Sequence, residues 1–336
     1  MKIRIFVGSG GVGKTSVAAA AGLKAAMEGA RCLVLTIDPA ARLKTALSMG
    51  TAGEHRRVAL EGVAAKGELW VAQLDTRVSL EQLARRFATP EQLEILLPHA
   101  IFHALGSMAG MQELMAIAVI GEAARQKYDT IVVDTAPSRH ALEFLDKPEF
   151  FVRLVTTPLV KLVGRTYHWW EKSSVSRLGR VGLELYRQVE KLVGAQLTRD
   201  VLEFFSAFQG VAEGYARETG KTLEALRDPR TTAFTIVSSP FKARADAAWF
   251  WAELHKRKFA IERLVVNRVW PKLQLAGDAR GLIEWYGDVS AAQEKSWDAV
   301  KREFGAKIPR LLALPELPTD VDGLPALQRI AGGLDG

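Results

Sequence analysis

The sequence predicts a doubly wound, mainly parallel α/β sheet carrying an inserted α-helical subdomain. Three features predict it. A glycine-rich loop, Gly8-Ser9-Gly10-Gly11-Val12-Gly13-Lys14-Thr15, stands between an apolar run at 3–7 and a helix-forming run at 16–26. A continuous, largely β-branched run at 128–133 has the composition of a central parallel strand, apolar on both faces. Strand and helix signals alternate on both sides of a block, 149–228, that holds helical spacing and no good strand. That pattern puts the core at 1–148 and 229–336, and the insertion at 149–228, extended by helices around 80–115.

The elements follow in order. The second strand is 31–37, ending at Asp38-Pro39-Ala40. A short helix is expected at 41–49 and a polar loop at 52–67. The third strand is 69–75, and short helices follow at 80–87 and 90–97. A longer helix is expected at 111–126, where Met111, Leu114, Met115, Ala118 and Val119 recur at helical spacing. The strand at 128–133 ends in Asp134-Thr135-Ala136-Pro137. Beyond the insertion, strands at 231–238, 261–267 and 310–314 alternate with helices at 242–258, 278–304 and 320–334.

Composition narrows the class. With 336 residues, 48% hydrophobic and 25% charged, the chain can bury a large core. No apolar run reaches the ~18 residues that a membrane span needs. Met1-Lys2-Ile3-Arg4 leads straight into the first strand, so no signal peptide is expected. The single cysteine, Cys32, lies inside a strand and reads as a small buried hydrophobe. It excludes an internal disulfide framework, in agreement with a cytoplasmic protein. The net charge of +7 could favour acidic partners or anionic membranes, but spread charge is ordinarily a solvated surface. No nucleic-acid partner is expected.

The loop carries the chemistry. Gly8, four residues, then Gly13-Lys14-Thr15, between a strand and a helix, is the spacing and context of a phosphate-binding P-loop. Glycines let the backbone wrap a phosphate with successive N–H groups turned inward. The helix starting near Ser16 adds the positive end of its dipole. Lys14 would then bridge the β- and γ-phosphates of ATP, and the Thr15 hydroxyl would ligate Mg²⁺. The bland alternative is a glycine-rich turn without a ligand. Asp38 and Asp134 each end a parallel strand, where acidic residues face the ligand crevice. Asp134 reads as the carboxylate for Mg²⁺, through a water, and Asp38 as the group that positions the attacking water or takes its proton. Either alone could be a helix cap or turn aspartate. Two beside a P-loop favour catalysis.

These stretches resemble the ArsA/GET-type ATPases, the family of the arsenite-pump ATPase and of the factor that targets tail-anchored membrane proteins. The resemblance rests on the glycine-rich loop, on Asp38-Pro39-Ala40, and on Asp134-Thr135-Ala136-Pro137-Ser138-Arg139-His140-Ala141-Leu142. Gly110-Met111-Gln112-Glu113-Leu114-Met115 and Val265-Val266-Asn267-Arg268-Val269-Trp270-Pro271 agree with it. It runs in order over essentially the whole chain. It implies that 38–47 is switch I and 134–142 switch II. It implies that Asn267, with Arg268 beside it, reads adenine next to the loop opened by Pro315. It also implies dimers that close over two ATP molecules and open after hydrolysis.

Three departures stand out. The family's deviant P-loop has a lysine where this chain has Ser9. That lysine reaches the other subunit's phosphates. A working dimer here would be a homodimer with another cation, such as Arg139, or a heterodimer with a lysine-bearing paralogue. Switch II has Arg139 where a glycine is usual. The family's metal-binding cysteines are absent, so neither a metalloid nor a zinc site is expected.

The insertion leaves two readings open. Between residues 151 and 200 there are nine Lys/Arg against four Asp/Glu, so this segment is basic. Phe204, Phe205, Phe208, Val211 and Tyr215 share one face of a later helix. The face could form a switchable groove for an apolar membrane-protein helix, or a surface that meets a membrane. It could equally be an ordinary helical core. The expected function is a Mg²⁺-dependent ATPase that works as a dimeric switch and handles a membrane-protein segment or partner. A ParA/MinD-like positioning or regulatory ATPase is the alternative, and the motor of an anion or arsenite pump is less well supported.

Overall fold

The computed structural model describes residues 1–38, 54–108, 110–136, 142, 145–146, 148, 195–272 and 280–335, with the backbone alone at 195–199, 202 and 280. The expected helix at 41–49, the switch residues 137–141 with Arg139 and His140, and the basic stretch up to 194 lie outside them.

Seventeen elements are described. They are β1 (Lys2–Gly8), α1 (Lys14–Met27), β2 (Arg31–Thr36), β3 (Arg56–Arg57), β4 (Glu68–Gln73), α2 (Thr76–Phe87), α3 (Pro90–Leu96), α4 (Ala100–Leu105) and α5 (Met111–Arg125). Then follow β5 (Thr130–Asp134), α6 (Ala195–Arg227), β6 (Thr232–Ser238), α7 (Ala243–Lys256), β7 (Ile261–Val269), α8 (Arg280–Phe304), β8 (Arg310–Pro315) and α9 (Gly323–Gly332). The strands form one sheet in the order β3-β4-β2-β5-β1-β6-β7-β8. Every pairing is parallel except β3 with β4. The doubly wound α/β reading holds. From β1 the chain passes over β5 to β2, and from β5 it crosses β1 to β6. The loop after β1 therefore sits where the winding reverses, the usual ligand crevice of such sheets.

Local chemistry corrects several boundaries. The stretch 52–67 was expected to be a loop, yet Arg56 and Arg57 pair with Trp70 and Val71 as a short antiparallel edge strand. Two arginines blunt that edge with charge. The helix expected from 80 starts at Thr76, because the Asp75 carboxylate accepts the backbone N–H groups of Arg77 and Val78 and caps it. The six-residue α4 carries too little periodicity to be seen in sequence.

By internal contacts the chain divides into two compact units. One comprises Met1–Leu74, Glu122–Leu142 and Glu224–Gly336, the other Asp75–Gly121 and Glu143–Leu223. In the first unit, α1 and α9 share one core cluster with Cys32, Val34, Val132, Val237, Val265, Leu312 and Leu314. Leu264 and Val266, which alternate with Val265 on β7, are buried too, so both faces of the sheet are covered. Cys32 is fully buried there, and burial pushes its thiol far above the ordinary range. In the second unit Phe204, Val211 and Tyr215 are buried, and the Tyr215 hydroxyl donates to Leu114 O at 3.0 Å. Phe205, assigned to the same face in sequence, is 50% exposed instead. It lies one residue, about 100°, off the row 204, 208, 211, 215.

Gly22 shows how closely α1 approaches β2. An added Cβ would lie 2.2 Å from Val34 Cγ2 and 3.4 Å from Leu69 Cδ1. Helix propensity alone favours alanine over glycine by about 1 kcal/mol. Overpacking a well-filled contact costs about 1–3 kcal/mol. The clash outweighs the propensity, so Gly22→Ala is expected to lower the thermal midpoint. An unchanged or raised midpoint would mean that the helix and sheet can separate at no cost.

Candidate active site

The loop owes its shape to two contacts that exclude a side chain. A Cβ on Gly8 would lie 2.1 Å from Val237 O, on the neighbouring strand. Gly13, at φ 82°, is in the left-handed region, and a Cβ there would lie 2.3 Å from Asn267 Nδ2. Asn267 is buried and donates that amide to Val12 O at 2.9 Å. Arg268 follows, also in the left-handed region at φ 62°. Its guanidinium donates to Gly11 O at 3.3 Å and faces Glu316 at 3.7 Å. Pro315 pairs in register with Val269, and Glu316 N–H donates to Val269 O at 2.8 Å. Asn267, Arg268 and Pro315 thus gather at the ends of β7 and β8, the first two of them against the loop.

Lys14, Thr15 and Asp134 meet at the other end of the loop, where α1 begins. Lys14 opens α1 and is 5% exposed, with Nζ 3.5 Å from Gly8 O, the outer limit of a hydrogen bond. Burial lowers its pKa, opposed by the carboxylates of Asp134, Asp38 and Asp246. Thr15, next on the helix, donates its hydroxyl to Asp134 Oδ2 at 2.7 Å. The Thr36 hydroxyl reaches the same oxygen at 3.2 Å. Asp38 lies two residues beyond Thr36. Ile37 N–H donates to Asp134 O at 2.8 Å and draws the two strand ends together. Thr135 is also tied in, its hydroxyl donating to Phe6 O at 2.7 Å.

Asp134 is fully buried, and its second oxygen, Oδ1, has no hydrogen-bond partner. Burial pushes its carboxyl up to about 6. Thr15, Lys14 and Thr36 pull it down, and Asp38 adds to the rise. An uncompensated buried carboxylate oxygen beside a threonine hydroxyl fits a hard divalent cation such as Mg²⁺, held directly or through water. The donor set is all oxygen, as that ion requires.

Thr36 and Asp246 escaped the sequence reading. Thr36 is the one polar residue in the run 32–37, a buried hydroxyl that needs an acceptor. Asp246 stands in α7 and belongs to no motif, yet its Oδ2 accepts the Ser9 hydroxyl at 2.8 Å.

A parallel sheet with this loop at its winding reversal, and two carboxylates at neighbouring strand ends, defines a P-loop ATPase. The chain belongs to the ArsA family, described as anion-transporting ATPases, whose model matches residues 1–336. It is 25% identical to a putative arsenical pump-driving ATPase 1 of Aquifex aeolicus, over 98% of this chain and 78% of that one. It is 25% identical to an ATPase ASNA1 homolog of Paramecium tetraurelia, over 79% of this chain and 75% of that one. Against the arsenical pump-driving ATPase of Escherichia coli it is 24% identical over 95% of this chain, but spans 44% of that protein. The chain is an ATP-hydrolysing enzyme of this family.

Asp134 is expected to make the stability of the nucleotide-free protein depend on pH. Its folded pKa, about 6, lies above the unfolded value of 3.8. Its contribution to stability is therefore complete below the unfolded value and is lost as pH rises through about 6. Asp134→Asn should flatten that decline and raise the thermal midpoint at neutral pH when no nucleotide is bound. A wild-type decline repeated unchanged in the variant would contradict the assignment.

Proposed function

We propose that this chain is a Mg²⁺-dependent ATPase whose hydrolysis resets a dimeric switch, and that the switch handles an apolar segment of a membrane or partner protein. The observation that carries the ATP-site reading is the buried Asp134, with one oxygen bonded by Thr15 and Thr36 and the other unpartnered, next to the buried Lys14.

The loop amides of 8–13 and the N-terminus of α1 receive the phosphates, with Ser16 at the rim. Lys14 places its charge on the β- and γ-phosphate oxygens, where negative charge grows in the transition state. Its low exposure strengthens that effect. Asp38 orients the attacking water in line with the γ-phosphorus and takes its proton. Thr15 and Asp134 would hold Mg²⁺, which when bound would offset phosphate charge. Asn267, Arg268 and Pro315 contact the base and its surroundings. Asn267 also donates to the loop, which ties the base end of the site to the phosphate end.

Ser9 bears on the partner. Its hydroxyl is engaged by Asp246 of the same chain and brings no positive charge. Closed dimers would draw that charge from another residue in a homodimer, or from a lysine-bearing paralogue in a heterodimer. We favour the heterodimer, working in the cytoplasm. Among the described residues no helix is long and apolar enough to cross a membrane. Apolar handling draws support from the second unit, where Leu80, Leu83, Met111, Met115, Phe208 and Val211 line an apolar cavity and Met108 and Phe205 are exposed. The cavity is small, about 50 Å³, and that favours the second reading, a ParA/MinD-like regulatory ATPase with a packed helical unit. Pumping of a metalloid draws the least support, because Cys32 is buried as a thiol.

Three outcomes are expected. Lys14→Ala abolishes nucleotide-dependent hydrolysis. Asp38→Asn retains ATP binding but loses about 10²–10⁴-fold in turnover, the range for a missing general base. Comparable hydrolysis by wild type and the Asp38→Asn variant would remove Asp38 from this role. The isolated chain hydrolyses slowly, and a lysine-bearing paralogue raises turnover in a way that requires this chain's Asp38. Full activity in an ATP-dependent homodimer, with no gain from Ser9→Lys, would refute the heterodimer.

A further inference from the structure

Asp246 stands in the first turn of α7, where a negative charge complements the helix dipole. The N-cap residue of the helix is Lys242, whose side chain makes no capping hydrogen bond. Asp246 Oδ2 accepts two hydroxyls, from Ser9 at 2.8 Å and from Ser238 at 2.5 Å. Ser9 directly follows β1, and Ser238 ends β6, the strand beside it, with Gly8 in register with Val237. One carboxylate oxygen therefore joins two adjacent strand ends, the start of a helix and the second residue of the phosphate-binding loop. Hydrogen bonds to a carboxylate are the stronger kind, and the Ser238 bond has the length usual for one.

We infer that Asp246 is a positioning residue for nucleotide binding: through Ser9 it holds the start of the loop in the geometry that receives phosphate. The inference rests on the loop being the ATP site. Two effects of Asp246 oppose each other. Its charge near a triphosphate repels the ligand, whereas its hydrogen bonds order the loop. The variants separate them. Asp246→Asn keeps an oxygen for both hydroxyls and removes the charge. Asp246→Ala removes both. Ser9→Ala cuts the link to the loop and leaves the carboxylate on Ser238.

The test is titration of a fluorescent ADP analogue with Mg²⁺ into folded protein, each variant checked by its thermal midpoint. Asp246→Ala and Ser9→Ala should each weaken binding about tenfold, and the double variant should be no weaker than Asp246→Ala, because both cut one linkage. Asp246→Asn should bind within about threefold of wild type, or more tightly. In hydrolysis assays the loss should fall on KM, with kcat changed far less. Multiplying losses in the double variant, binding by Asp246→Ala at wild-type strength, or equal weakness of the Asn and Ala variants would each overturn the inference. Should Asp246→Ala fail to fold, the Asn and Ser9 variants still decide. A wild-type chain that does not bind the analogue would overturn the ATP-site reading itself.

Discussion

A single buried carboxylate sets the terms for this site. Asp134 ends a central strand with no exposed surface, and desolvation alone would drive it to the neutral acid. Two threonine hydroxyls and one buried lysine offset only part of that cost, and one oxygen stays unpaired. Such a group persists when its environment is completed by something else. On the proposed reading, a divalent cation with its water shell, brought by a nucleotide, would supply the missing charge and the missing bonds. Lys14 is in the complementary position: it is buried, and desolvation lowers its pKa against the opposing pull of three carboxylates. The fold keeps two charge-bearing groups short of solvent and mutually dependent. Bound phosphate and metal would relieve both.

The sheet makes this possible by bringing distant residues to one edge. Thr15, Thr36 and Asp134 are far apart in sequence, but β2, β5 and β1 are neighbours and end at one level. The other half of the site works by close approach. Gly8 against Val237 and Gly13 against Asn267 leave no room for a methyl group, so the loop backbone lies directly on β6 and β7. Asn267 and Arg268 then brace the loop by its carbonyls at Val12 and Gly11.

Much of this was legible in the sequence, for identifiable reasons. Gly8 to Thr15 has a spacing that few other structures require, and the run before Asp134 is too uniformly apolar to be anything but a buried strand. The doubly wound parallel class and the family followed from those elements, whereas the order of the strands came only from the structure. What escaped detection depends on tertiary placement. Asp246 lies 237 residues from Ser9, and no periodicity connects them. Phe205 joined an apolar stripe in sequence and left it in the structure, because one residue's rotation carries it off the packed face. Asp75 was read as the end of a strand and is instead a helix cap, since a capping aspartate and a strand-end aspartate look alike until the following N–H groups are located.

The most direct measurement is a crystal structure of the chain with a non-hydrolysable ATP analogue and Mg²⁺. The account predicts phosphates wrapped by the amides of 8–13 with Lys14 Nζ on the β- and γ-oxygens. It predicts a metal ion on the Thr15 hydroxyl, with Asp134 Oδ1 bonded to the ion or to one of its waters. A nucleotide bound elsewhere, or an analogue in the loop with Asp134 Oδ1 still without a partner, would contradict it.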